Sequence, residues 1–274
     1  MTTADTGSGS ETLRVIEDLG RGFLGNLTPV FQRYPYHDRA QFEKDFNHAF
    51  STTNDTIECF LVSAVDDKSF TAVFLEAEEA PFSRWCAYDR ELKLLLINKV
   101  KSRAHENAAG TFQDLLQGAL VAVGMERCLE TIGAATHFAT LGAKEPDRAW
   151  QPIRLPRDRS DRWPTVVLDV AYSETQSKLQ SDVRYWLIGP EEEVETVLTL
   201  RIAQDEPRIV IERRESIGNG RGYRQQHVVI TKTRSNRITI TGGPLVLEFE
   251  RLFLRAPTIP REQISKLTMR NSNS

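Results

Sequence analysis

Val166-Val167-Leu168-Asp169-Val170-Ala171 is an apolar run that contains a single acidic residue. This pattern predicts a buried strand over residues 165–172. An ionised carboxylate inside such a strand costs free energy unless a cation or hydrogen bonds satisfy it. Asp169 is therefore either a functional carboxylate or a structural one that accepts hydrogen bonds from a nearby backbone N–H.

Two further charged residues flank this strand at informative distances. Pro146-Asp147 closes a polar turn 22 residues before Asp169, and Lys178 follows in the next predicted helix. Two carboxylates with a lysine nearby suggest a divalent-metal site that cleaves a phosphodiester bond. Pro-Asp is also common in turns, so Asp147 taken alone is compatible with an ordinary loop residue.

The segments on either side of the strand are predicted to be helices. A long amphipathic helix is predicted at about 102–124, because apolar residues recur there on one face. After the strand, Ser173-Glu-Thr-Gln176 has the pattern of a capping box, and the helix that it opens is predicted to end near Gly189. From residue 194 onward, the spacing of apolar residues is that of strands. Strands are predicted at 194–202, 208–213, 227–233, 237–241 and 245–254.

The N-terminal part of the chain is predicted to be an accessory region, residues 12–85. Residues 12–50 have mainly helical periodicity. Two strands, 57–65 and 70–75, are predicted to form a hairpin around the polar residues 66–69. Additional short strands are predicted at 92–97 and 136–141.

From residue 92 the predicted order is strand, long helix, strand, Pro-Asp, strand, helix and two strands. With the segments Lys144-Glu-Pro-Asp-Arg-Ala-Trp150 and Val167-Leu-Asp-Val-Ala-Tyr-Ser-Glu-Thr175, the chain resembles the PD-(D/E)XK nuclease superfamily, and within it uncharacterised fungal members. The resemblance covers about residues 86–215. It implies a mixed α/β fold with a restriction-endonuclease-like core, in which helices flank a central mixed sheet. The rest is predicted to be flexible tails at 1–11 and 268–274, the accessory region, and a β-rich extension at 216–267.

The resemblance also implies roles for individual residues. Asp147 and Asp169 match the two acidic residues that hold one or two Mg²⁺ (or Mn²⁺) ions in this superfamily. The family pattern places a lysine two residues after the second acid, where this chain has Ala171. Some members supply the lysine from the following helix, which implies Lys178 here. Glu106 resembles an additional acidic ligand near the start of the first core helix.

Each of these roles has a structural alternative. Lys178 is spaced to pair with Asp182 one turn further along the helix. Glu106 is also placed as a solvated first-turn acid that compensates the helix dipole. His105 lies at the edge of the apolar stripe, where it either packs or contacts the substrate.

Charge is distributed unevenly, although the net charge is only −3. Residues 1–80 carry 6 Lys and Arg against 14 Asp and Glu, whereas residues 201–274 carry 14 against 7. The basic C-terminal region is compatible with phosphate contacts, and equally with pairing to the acidic N-terminal region. Arg154, Arg157 and Arg159 lie in a proline-interrupted loop, where they are either solvated or contact phosphates.

The overall composition is that of an ordinary globular protein, with 40% apolar and 27% charged residues. No window approaches 18 uncharged apolar residues, and the start of the chain lacks the apolar stretch of a secretory signal, so no membrane association is expected. The three cysteines are odd in number and widely spaced, so they predict neither a disulfide framework nor a zinc site. This fits an intracellular location, in the cytoplasm or nucleus.

Three functions are compatible with these observations. The first is a metal-dependent nuclease that acts on nucleic acid, DNA favoured over RNA, with a homodimer as one compatible assembly. The second is a catalytically inactive relative that binds nucleic acid or a protein partner, because Ala171 replaces the expected lysine. The third is a structural role in which the core is a scaffold. The chain has no Gly-x-Ser-x-Gly elbow and no phosphate-binding glycine loop.

Overall fold

The computed structural model describes residues 12–15, 22–25, 27, 31–51, 58–99, 101–172, 176–189, 193–203, 205–216, 222–260, 262 and 266–269. The strands in these ranges are β1 (Thr12–Val15), β2 (Arg33–Pro35), β3 (Cys59–Ser63), β4 (Trp85–Asp89), β5 (Leu94–Asn98), β6 (Leu129–Thr131), β7 (His137–Ala139), β8 (Gly142–Lys144), β9 (Arg148–Pro152), β10 (Val166–Tyr172), β11 (Thr196–Ile202), β12 (Arg208–Ser216), β13 (Gly222–Lys232), β14 (Ile238–Thr241), β15 (Leu245–Glu248) and β16 (Lys266–Met269). The α-helices are α1 (Arg39–Ser51), α2 (Asp67–Ser69), α3 (Arg103–Ala122), α4 (Gln176–Ile188) and α5 (Phe249–Phe253).

The strands form two mixed sheets and one short pair. The larger sheet has the order β1-β13-β12-β11-β10-β9-β6, with β14 paired to β13. In its centre β10 runs parallel to β11 and antiparallel to β9. The second sheet has the order β2-β3-β5-β4-β8-β7, in which only β2 and β3 are parallel, and β15 pairs with β16.

Strand β10 is buried on both faces because helices cover it from both sides. Val166, Leu168 and Val170 pack against the apolar face of α3, in one cluster with its buried residues. Val167 packs on the opposite face, in one cluster with Trp186 of α4. Side chains alternate along a strand, so residues 169 and 171 share the α4 face with Val167. Helices flanking mixed sheets confirm the predicted mixed α/β class.

The elements around β10 match the prediction closely. Helix α3 begins after Ser102, whose Oγ accepts the backbone N–H of His105 at 3.2 Å. Helix α4 ends at Ile188, beside the predicted stop. Ser173 lies outside the described residues, so the capping box stays a prediction.

The N-terminal region differs from the prediction. In the described part of residues 12–50 only α1 is helical, and β1 and β2 are strands. The predicted strand at 70–75 is wrong, because that segment is π-helical with Phe70 and Phe74 buried. Asp66 caps the helical turn before it by accepting the N–H of Ser69 at 2.8 Å. The polar residues that suggested a hairpin turn therefore start a helix instead.

Two predictions at the C-terminal end also need correction. The predicted strand 245–254 is the short strand β15 followed by α5, in which Phe249, Leu252 and Phe253 are buried at helical spacing. Residues 268 and 269 belong to β16 rather than to a flexible tail. The predicted tail at 1–11 and residues 270–274 lie outside the described ranges.

Strand pairing connects the predicted segments of the chain. The second sheet takes β2 and β3 from the predicted accessory region and β5, β7 and β8 from the predicted core, while β1 pairs with β13. The division into segments stays a prediction. Among the described residues, no helix has both the length and the apolar character needed to cross a membrane. None of the three cysteines forms a disulfide bond within the part of the chain that the structure describes.

Gly142 tests how tightly β8 is held against β4. Its φ is +144°, and a Cβ there would lie 1.8 Å from the carbonyl oxygen of Tyr88. Because backbone cannot move aside, we expect Gly142→Ala to lower the free energy of unfolding by about 2–4 kcal/mol. Urea denaturation measures this. The control is Gly118→Ala on the exposed face of α3, where a Cβ meets no atom within 4 Å and about 1 kcal/mol of stabilisation is expected. Equal stabilities of the two variants would contradict the prediction.

Candidate active site

A cavity of about 370 Å³ lies between the two sheets. Its wall combines residues 83–86 at the start of β4, residues 98, 99 and 101 at and after the end of β5, the start of α3, the segment from β8 to β9, β10 and Lys178 of α4. Both charge signs occur on this wall: the cationic residues are Arg84, Lys99, Lys101, Lys144 and Lys178, and the acidic residues are Glu106, Glu145, Asp147 and Asp169. The two predicted acidic residues therefore face one cavity.

Asp147 is anchored to β10 through the backbone. Its N–H donates to the carbonyl of Leu168 at 3.1 Å, and the N–H of Val170 donates to Asp147 Oδ2 at 2.7 Å. Lys101 Nζ lies 2.6 Å from Oδ1, and His105 Nε2 lies 3.1 Å from Oδ2. Burial alone would raise the pKa of this carboxyl, but the hydrogen bond from His105 and the charge of Lys101 hold the pKa well below its usual range. Asp147 is thus an ionised, positioned carboxylate.

Asp169 is almost completely buried in the middle of β10. Its Oδ2 accepts a hydrogen bond from Trp186 Nε1 at 2.8 Å and lies 3.3 Å from Lys144 Nζ. Burial raises the pKa of Asp169 to about 6, with Lys144 opposing the rise and the carboxylates of Asp182 and Asp147 adding to it. The partners of this carboxylate come from α4, the next element in the chain, and from β8 of the other sheet.

Lys178 lines the cavity, as its predicted role requires, and also makes the alternative contact. Its Nζ lies 3.1 Å from Asp182 Oδ2, but the pair is buried rather than exposed on the helix surface, since Asp182 is 0% exposed. Asp182 Oδ1 lies 3.0 Å from Lys144 Nζ, so one carboxylate bridges two lysines. Burial opposes ionisation of Asp182, yet the charges of Lys144 and Lys178 lower its pKa.

The start of α3 brings two predicted residues to the cavity. His105 is buried against Asp147. It therefore lies closer to the two carboxylates than its predicted position at the edge of the apolar stripe indicated. Glu106 lines the cavity with a half-exposed side chain, 3.7 Å from His105 Nδ1 and 3.5 Å from Arg148 Nη2. Its position is compatible with both the ligand role and the solvated first-turn role.

The three arginines predicted to contact substrate do not line this cavity. Arg157 is exposed, and Arg154 is exposed beside a separate cavity near α5. Arg159 Nη1 pairs with Glu193 at 2.9 Å, and its Nη2 donates to the carbonyl oxygens of Glu193 and Trp163, so it anchors its own loop. Any contact of these arginines with a substrate would therefore be made outside the cavity.

Sequence reasoning missed Lys101, Lys144, Trp186 and the wall residues 83–85, and it named Asp182 only as an alternative partner of Lys178. Lys144 stands three residues before Asp147, but its strand β8 was predicted as the end of a turn. Asp182 and Trp186 carried a usable signal. They follow Lys178 at successive i+4 positions, so all three lie along one side of α4.

Whether a metal could bind depends on the ligand atoms that the cavity presents. In the described ranges, no group of three or more His, Cys, Asp or Glu residues is arranged to hold a metal. Mg²⁺ is commonly held by one or two carboxylates, with water and substrate phosphate completing the coordination. The oxygen donors of Asp147 and Asp169 fit this requirement. Lys101 would have to leave Asp147, which its partly exposed side chain allows.

Comparisons with known proteins add little. No protein-family model matches the chain. No curated protein matches it either. A search of solved structures finds the crystal structure of a candidate nuclease of the DUF820 family from Anabaena variabilis ATCC 29413. The match has 10% sequence identity and a TM-score of 0.33, and it covers 64% of this chain and 83% of that one. A TM-score this low decides neither fold nor function, and the similarity to fungal members stays a prediction.

Proposed function

We propose that the chain is a metal-dependent nuclease that hydrolyses phosphodiester bonds of nucleic acid, with DNA favoured over RNA. The observation that carries the proposal is a pair of carboxylates, the buried Asp169 and the partly buried Asp147, on the wall of one cavity that also presents five cationic side chains. Oxygen donors suit Mg²⁺ or Mn²⁺, and a cationic wall attracts a phosphodiester. The resemblance to the PD-(D/E)XK superfamily favours DNA.

Several residues in and beside the cavity have a task in this proposal. Asp147 and Asp169 hold the metal, which when bound would activate a water molecule and offset charge on the phosphate. His105 orients Asp147, and Trp186 orients Asp169, through hydrogen bonds of 3.1 Å and 2.8 Å. Glu106 assists at the mouth of the cavity. A lysine paired with Asp182, for which the sequence suggests Lys178, stabilises the negative charge that develops on the phosphate.

Cleavage assays with the full chain test this proposal. We expect supercoiled plasmid to be nicked or linearised with Mg²⁺ or Mn²⁺ and to remain intact with EDTA. Parallel reactions with single-stranded DNA, duplex RNA and single-stranded RNA establish the substrate class. Cleavage that persists in EDTA would exclude metal dependence, and a lack of cleavage of every substrate would exclude the nuclease.

A binding module without catalysis is the second candidate, and one observation favours it. Both oxygens of Asp147 and Oδ2 of Asp169 already contact protein donors, among them the ammonium groups of Lys101 and Lys144. Such a site would be electrostatically satisfied without a metal. Nucleic-acid binding that needs no metal, is not followed by cleavage and survives Asp147→Asn would favour this function.

A further inference from the structure

The ammonium group nearest to Asp169 belongs to a lysine that the sequence pattern did not indicate. Lys144 Nζ lies 3.3 Å from Asp169 Oδ2, whereas the ion pair of Lys178 joins it to Asp182. Both lysines line the cavity, so they do not differ in their access to it. They differ in that Lys144 is the one that contacts Asp169.

Lys144 is held more firmly than a lysine on a helix surface. Its strand β8 is paired on both sides, to β4 through Ala87 and to β7 through His137. Its Nζ lies 3.0 Å from Asp182 Oδ1 and 5.6 Å from the centre of the Trp186 ring. A charge fixed in this way needs little reorganisation when negative charge develops nearby, which is the condition for strong electrostatic stabilisation.

We propose that Lys144 takes the place that Ala171 leaves empty and contacts the scissile phosphate, while Lys178 acts through Asp182 as a positioning residue. This inference rests on the proposed nuclease function. Ala171 lies on the same face of β10 as Asp169 and is fully buried. Lys144 brings a cation to that face from β8 of the second sheet. Asp182 holds Lys144, and the pair between Lys178 and Asp182 stabilises the charge of the bridging carboxylate.

The chemical step needs no proton from Lys144. A water oxygen forms a bond to phosphorus as the bond from phosphorus to the leaving oxygen breaks. One water proton passes to solvent, and the leaving oxygen takes a proton from solvent, so a phosphodiester and water give a phosphomonoester and an alcohol. Lys144 donates a hydrogen bond to a non-bridging phosphate oxygen and remains an ammonium throughout.

Lys144→Met and Lys178→Met form a matched pair, because each removes one cation that is paired with Asp182. We expect Lys144→Met to lower the single-turnover rate of plasmid cleavage in Mg²⁺ by about 100-fold, and Lys178→Met by less than about tenfold. Mn²⁺ binding to the free proteins, measured by electron paramagnetic resonance, is the second readout. Lys144→Met should bind Mn²⁺ at least as tightly as the wild type, because a cation beside Asp169 is gone. A purely structural role would lower Mn²⁺ affinity and melting temperature together with activity.

The outcomes separate this inference from the proposed function. A wild type that cleaves, with Lys144→Met cleaving within about threefold of it, overturns the inference alone. An equal or larger loss for Lys178→Met also overturns it, as does a loss of Mn²⁺ affinity in Lys144→Met. A wild type that cleaves nothing overturns both. If Lys144→Met does not fold, Lys144→Gln replaces it, because the glutamine amide is neutral and can still donate hydrogen bonds to Asp169 and Asp182, and the same rate criterion applies to it.

Discussion

Replacing Asp169 with asparagine is expected to lower the rate of metal-dependent cleavage by about 10³-fold or more, because it removes one of two carboxylates proposed to hold the metal. Asparagine has nearly the same size as aspartate, and its carbonyl oxygen can still accept the hydrogen bond from Trp186 Nε1. The fold should therefore persist. Plasmid cleavage in Mg²⁺ under single-turnover conditions measures the loss, and circular dichroism and thermal melting measure the fold.

The matched control for this prediction is Asp158→Asn. Asp158 is exposed in the arginine-containing loop, so the same chemical change there should leave the cleavage rate within about twofold of the wild type. Equal cleavage by the wild type and Asp169→Asn would remove Asp169 from the mechanism. A loss of stability without a loss of rate would return Asp169 to its structural alternative, a buried carboxylate that serves packing and hydrogen bonding.

The parts of the fold that could be predicted are those determined by local patterns. Strand β10 is an apolar run interrupted by one acidic residue, and the apolar residues of α3 recur on one face, so both patterns are unambiguous. The pattern in the N-terminal region is ambiguous: Phe70 and Phe74 fit the inner face of a helix as well as they fit a strand. The capping contact of Asp66 selects the helix, and a polar residue of that type suits a hairpin turn equally well.

The residues of the candidate site also divide into those that a local sequence pattern predicts and those that it does not. The two carboxylates were recognisable because Asp169 is costly in an apolar strand and Asp147 follows a proline at the expected distance. Lys144 was not recognisable, because its place beside Asp169 depends on the pairing of β8 with β4, which joins residues far apart in the chain. The anchoring of Arg159 was not recognisable for a related reason, because its partner Glu193 follows α4 and no local pattern reports that contact.

Removing the buried charge of Asp182 is also expected to have a large effect on stability. Asp182 is fully buried and lies 3.0 Å from Lys144 Nζ and 3.1 Å from Lys178 Nζ, so Asp182→Asn leaves two buried ammonium groups without their shared counter-ion. Breaking a buried ion pair from one side typically costs about 3–5 kcal/mol, and we expect the free energy of unfolding to fall by about that amount at pH 7. Urea denaturation measures the change. Asp114→Asn on the exposed face of α3 is the control and should change stability by less than about 0.5 kcal/mol.

The pH dependence of the stability difference between the wild type and Asp182→Asn shows whether the charge of Asp182 causes it. The pKa of Asp182 is lowered in the folded protein: burial opposes the shift, and the charges of Lys144 and Lys178 outweigh it. A carboxyl with a lowered folded pKa contributes stability that is present above its unfolded pKa and is lost as the pH falls through the folded pKa. The contribution of the Asp182 charge to the difference between the wild type and Asp182→Asn should therefore shrink below about pH 4, near the ordinary carboxyl pKa. A change between about pH 5 and 7 reports Asp169 instead, because Asp182 helps to raise the pKa of Asp169 to about 6. A difference that does not change down to pH 3 would mean that Asp182 stabilises the fold through packing, and the bridge between the two lysines would then be a consequence of the fold rather than a cause of its stability.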